Sequence, residues 1–294
     1  MFLKNTIRTL IFISIIGLIS GISSSCNSSD KESKQKDSLV LKWKTDNVFK
    51  IPESVFFDEN RNVIYVSNIN GKPSDIDSNG FISKLSINGE IIALEWINGL
   101  NAPKGMAVFG NSLFVSDINY LREIDLNSQQ IVNSYFAEGS EFLNDVEVDI
   151  KGNVYISDIA TNKIYILENK VLSIWIDSEE LNHPNGLFFT ENKLYVGSGN
   201  AILEIIPESK KINVLHENTG SIDGLESIGN HKFIISDWKG NINLVNENDS
   251  ISLLLSTEKQ NVNAADIDFI VVKNLLLVPT FMDNRIVAYE LINK

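Results

Sequence analysis

The chain has 294 residues, 43% of them hydrophobic and 21% charged, which is the usage of a globular protein and excludes a disordered, collagen-like or disulfide-scaffold chain. Its 25 basic and 38 acidic side chains leave a formal charge of -13, and this excludes nucleic acid as a partner, because phosphate binding needs a basic face. The single cysteine, Cys26, rules out an intrachain disulfide and any metal site built from several thiolates.

In chain order, residues 1–25 come first. Lys4 and Arg8 precede an apolar run from Leu10 to Ile22, the pattern of a secretory signal. Ser23, Ser24 and Ser25 then lead into Cys26, and small residues before a lone cysteine resemble the lipobox of bacterial lipoproteins, with Ser23 standing where that motif usually has leucine. The resemblance implies cleavage before Cys26, acylation of its thiol, and a lipid-anchored position in the bacterial cell envelope, periplasmic or on the cell surface. Residues 26–38 contain no large apolar side chain and predict a solvated tether.

From Leu39 to the C-terminus, residues 39–294, short runs rich in Val, Ile, Phe and Tyr alternate with Asn, Gly, Asp and Ser, with no segment of helical period, so the chain is expected to be all-β. A loop-plus-strand phrase recurs six times with markers at Ser54, Gly105, Asp145, Gly186, Gly224 and Asp266, spaced by 51, 40, 41, 38 and 42 residues. That period is one blade of a β-propeller, and six copies predict a six-bladed ring of four-stranded blades. A second phrase follows each marker, as in Ser67-Asn68, Ser116-Asp117, Ser157-Asp158 and Ser236-Asp237. Its recurrence points to structural hydrogen bonding at a strand end rather than to catalytic dyads. The sixth repeat lacks an outer strand after Leu291, and Leu39 to Thr45 is expected to supply it and close the ring. The long first step holds an insertion from Asn70 to Gly80, open to reading as a lid, a calcium-binding loop or a mobile surface loop. Trp43, Trp96, Trp175 and Trp238 are expected to pack between blades.

Loops entering the inner strands of a propeller share one axial opening. Here they offer Glu53, Asn144 with Asp145, Asn185, Asp223 and Asp266, a ring of carboxylate and amide oxygens suited to Ca2+ rather than zinc, with Lys104 the exception among them. This order resembles the regucalcin and gluconolactonase family and, more distantly, diisopropyl fluorophosphatase and paraoxonase. The resemblance implies a metal held by Glu53, Asn144, Asn185 and Asp223. It also implies a metal-dependent hydrolase of lactones or related esters. Asp223 or Asp145 would then activate water or attack. From its place in the ring, Lys104 is either an anion contact for the small-molecule substrate or a salt-bridge partner for the carboxylates, and His183, two residues before Asn185, is expected to reach the channel as a substrate contact. Two features depart from the family's pattern: Val146 stands where a glycine is usual after Asn144-Asp145, and residues 141–143 include no arginine. His216 and His231 read as surface or turn residues. A monomer is expected. The alternative is a non-catalytic propeller similar to NHL-repeat proteins, binding a ligand or protein partner through the same face.

Overall fold

The structure, a computed structural model, describes residues 37–292; the expected signal segment, Cys26 and nearly all of the expected tether lie outside the described residues. Six four-stranded antiparallel sheets follow one another along the chain, and among the described residues the only helical turns are short 3-10 segments. Blades 1 to 5 span residues 52–100, 103–136, 143–177, 187–217 and 225–256, each a meander whose successive strands are neighbours. Blade 6 takes Asp268–Ile270, Leu275–Pro279 and Ile286–Ile292 from the end of the chain. Its outer strand is Ser38–Lys44, paired antiparallel with Ile286–Ile292 from Ser38 opposite Ile292 to Lys44 opposite Val287. The fold is therefore the six-bladed β-propeller expected, closed by its N-terminal strand.

The second strand of each blade is apolar on both sides because both of its faces are covered. Ile64, Val66 and Val55 of blade 1 meet Leu277 and Ala288 of blade 6, whereas Tyr65 and Val63 on the opposite face meet Met106 and Val115 of blade 2. The same interdigitation fills each remaining seam, so the core is six layers between blades. Three tryptophans serve these seams as expected: Trp43 packs at the closing seam, Trp96 stacks on Tyr65 at 5.0 Å between centroids, and Trp175 meets Tyr155 edge-on at 4.8 Å. Trp238 departs from the expectation. It is half exposed, touches Phe281 edge-on at 5.6 Å, and stands at the channel mouth.

His216 also departs. It is buried, its Nδ1 is 2.7 Å from Asp249 Oδ1 and its Nε2 is 3.2 Å from the His231 carbonyl, so it joins blade 4 to blade 5.

Candidate functional site

In the first three blades the pairing of the inner strand slips by a bulge, between Pro52 and Val55, between Pro103 and Met106, and between Leu143 and Val146. A bulge breaks the strict in-out alternation and re-aims a side chain. The residues so released include Glu53, Lys104 and Asn144. Blades 4 and 5 deliver Asn185 and Asp223 from the loops entering their inner strands, held by Asn185 N donating to Gly197 O (2.8 Å) and Asp223 N donating to Ser236 O (2.9 Å). All five side chains line one cavity of about 490 Å³.

The recurring serine-aspartate phrase frames these loops. Asp117 accepts from the Asn101 and Ala102 N–H groups (2.9 and 2.8 Å), fixing the approach to Lys104, and Asp158 accepts from Glu141 N (2.9 Å) and Phe142 N (3.2 Å) before Asn144. Ser116 Oγ donates to the Asn144 carbonyl, Ser157 Oγ accepts from Asp145 N, and Ser236 Oγ accepts from Gly224 N and donates to Ala265 O. These serines are structural, each satisfying a backbone group of an inner strand or of the loop leading into one.

The marker positions form a waist below the cavity. A Cβ on Gly105 would sit 2.5 Å from the Asp145 Cα, and one on Gly186 would sit 2.5 Å from the Asp223 carbonyl oxygen, so adjacent inner strands approach too closely for side chains there. Ser54 Oγ donates to Asp266 Oδ2 at 2.6 Å across the closing seam. Below the waist a second cavity of about 180 Å³ collects Asp145, Glu147, Glu226, Asp266 and Asp268.

Burial dominates the electrostatics of the upper site. It raises the Glu53 acid well above the ordinary carboxylate range, with Asp223 and Asp145 adding to the shift and Lys104 opposing it. Asp223 is pushed up to about 7 by burial, against the donation from Asn185 Nδ2 to its Oδ1 at 2.9 Å. Lys104 is 1% exposed; its Nζ donates to the Ala102 carbonyl at 3.1 Å and lies 4.4 Å from the centre of the Phe142 ring. Burial lowers its pKa, opposed by the fields of Glu53 and Asp117. Glu53 Oε2 is buried without a hydrogen-bond partner.

A desolvated carboxylate oxygen with no donor is costly and marks a place for a cation or a ligand donor. Two carboxylates and two amide oxygens on one cavity fit a hard divalent ion. Among the described residues no group of three or more His, Cys, Asp or Glu is arranged to hold a metal, so such an ion would depend on the amides of Asn144 and Asn185.

Two residues expected at the site stand elsewhere. Asp145 does not line the upper cavity: its Oδ1 accepts from Val146 N (2.7 Å) and its Oδ2 from Leu187 N (2.6 Å), which ties blade 3 to blade 4 at the waist. His183 is exposed, with φ of 59° and Nδ1 3.2 Å from Asn182 Oδ1, and it is not among the residues lining the cavity. The insertion is not merely a surface loop, since Gly71, Lys72 and Pro73 form part of the cavity wall. The sequence reading missed an apolar wall with a legible signal. The residue after each serine-aspartate or serine-asparagine pair is Ile69, Ile118, Ile159 or Trp238; three of these line the cavity and Ile118 packs beside it.

No family model matches the sequence, and no curated protein does. Solved structures do. A gluconolactonase from Xanthomonas campestris superposes with a TM-score of 0.66 at 15% identity, covering 88% of this chain and 96% of that one. A catalytically inactive virginiamycin B lyase from Staphylococcus aureus, determined with quinupristin, gives 0.61 at 14% identity over 87% and 99% of the two chains. A chain of a nidogen/laminin complex gives 0.61 at 18% identity over 74% and 84%. The fold is the one they share.

Proposed function

We propose that the protein is a lipid-anchored hydrolase of lactones or related esters that works with a hard divalent cation, Ca2+ first among them. The observation that carries this reading is the convergence of Glu53, Asn144, Asn185 and Asp223, from four blades, on one cavity where Glu53 Oε2 is buried and unpartnered. The likeness to a gluconolactonase supports it at the level of architecture. When bound, the cation supplies Lewis-acid polarisation of the substrate carbonyl oxygen. The rest falls to the chain's own groups. Asp223 takes a proton from the attacking water, and the Asn185 amide holds its carboxylate in orientation. Lys104 has donors to spare after its bond to Ala102 and places positive charge where the carbonyl oxygen turns anionic. The apolar wall keeps bulk water from the reacting centre.

Calorimetry with Ca2+ on the wild type and on Asp223→Ala tests the reading, followed by hydrolysis of lactones and aryl esters with and without chelator. One ion bound by the wild type and none by the variant, with chelator-sensitive turnover, is the expected result. Absence of binding in both proteins would leave the second reading, a binding propeller without chemistry. The buried Lys104 favours that alternative, because an internal cation already offsets part of the acidic charge.

A further inference from the structure

Among the described residues, left-handed backbone at non-glycine positions follows a rule with three exceptions. Most residues with positive φ are Asn or other polar turn formers, which tolerate that region. The apolar exceptions are Ile51 (φ 54°), Ile118 (φ 61°) and Phe281 (φ 48°). All three belong to one apolar cluster at the channel mouth, and Ile51 and Phe281 line the upper cavity. A β-branched residue pays for this conformation, and Ile51 is further constrained by preceding Pro52. Glycine or asparagine would relieve the strain, so the apolar side chains themselves are what the site retains.

The rest of the wall agrees. Ile69, Phe142, Ile159 and Ile222 face the same space, and half-exposed Trp238 stands at its rim against Phe281. The polar groups Glu53, Lys104, Asn144, Asn185 and Asp223 gather where the inner strands begin, and a volume of about 490 Å³ is of ligand size. We propose that the cavity selects uncharged amphiphiles, a single carbonyl head directed at Lys104 and the amides with an alkyl or aryl body against the apolar wall, and rejects polyhydroxylated sugar lactones. A sugar would place several hydroxyls against isoleucine and phenylalanine side chains that offer no partner, each unpaired hydroxyl reducing affinity by about tenfold or more. An alkyl body instead gains about fourfold in affinity per buried methylene. The proposal names the substrate class of the site described above, but ligand binding does not depend on the hydrolase reading.

The test measures binding and turnover separately, on the full chain. Aliphatic γ-lactones of increasing tail length and glucono-δ-lactone are titrated against tryptophan fluorescence, on the wild type, Trp238→Phe and Ile51→Gly. The expected result is affinity that climbs with tail length, a signal lost in Trp238→Phe, and weaker binding of the long-tailed lactones to Ile51→Gly, a variant whose backbone strain is relieved rather than increased. Tail-dependent binding with no turnover under any metal supports the inference while overturning the hydrolase. Equal or tighter binding of glucono-δ-lactone, or indifference to tail length, overturns the inference, and preferential turnover of the sugar lactone does so while upholding the hydrolase.

Discussion

Glu147 and Asp268 face the lower cavity, where backbone N–H groups of Val148, Phe189 and Phe57 donate to them and no basic side chain pairs with either among the described residues. Burial pushes Glu147 from 4.5 to about 8 and Asp268 from 3.8 to about 6. The folded protein therefore binds protons that the unfolded chain has already released. This contribution to stability is full below about pH 4 and is lost as pH rises through about 6 and then 8. Thermal unfolding should accordingly show a lower melting temperature at pH 8 than at pH 5.5, and Glu147→Gln should flatten that dependence by removing the larger shift. A melting temperature that rises over this interval in the wild type would mean that these carboxyls are paired. The residue scale also shows where sequence proximity misleads. His183 lies two positions before Asn185, yet a left-handed backbone and the bond from its N–H to Asn162 Oδ1 turn it away from the channel.

At the scale of the inner strand, the repeated marker is explained by distance rather than by chemistry. Gly105, Gly186 and Gly224 occur where the neighbouring inner strand lies too near for a Cβ, and Asp145 and Asp266 fill the remaining gaps with hydrogen bonds to adjacent blades. Gly105→Ala forces apart the blade 2 and blade 3 strands that carry Lys104 and Asn144. It should cost about 1–3 kcal/mol in denaturant unfolding and weaken ion binding together with stability. A variant as stable as the wild type would show that the waist has slack. Glu53, Asn144, Asn185 and Asp223 could be read from the sequence because each precedes a marker, so a period counted in residues became a height along the axis. The apolar wall was only half legible. Ile69, Ile159 and Trp238 are marked by the repeated pair that each of them follows, whereas the positive φ of Ile51 and Phe281 has no sequence signature.

For the whole molecule, the number of blades was legible because the marker phrase recurs six times at a blade-length period, and the closing strand because the sixth repeat lacks an outer strand that the start of the repeat region can supply. The width of the channel was not, since it depends on how closely inner strands approach. The N-terminal segment carries a prediction of its own: wild-type protein should fractionate with membranes and Cys26→Ala with the soluble fraction. Equal partition of the two would remove the lipid anchor from the proposal. The clasp of the ring joins strands far apart in the chain, with Lys42 and Glu290 bridged across 248 positions. Blades 1 to 5 can form as the polypeptide emerges, but blade 6 waits for the last residues, and until Ile286–Ile292 arrives the Ser38–Lys44 strand has no partner strand. Ile286–Ile292 of a second copy can take that place instead of the chain's own strand. The local concentration of folding chains would therefore set the balance between closed monomers and strand-exchanged chains, making the rate at which chains arrive together as important to this fold as the contacts that hold it.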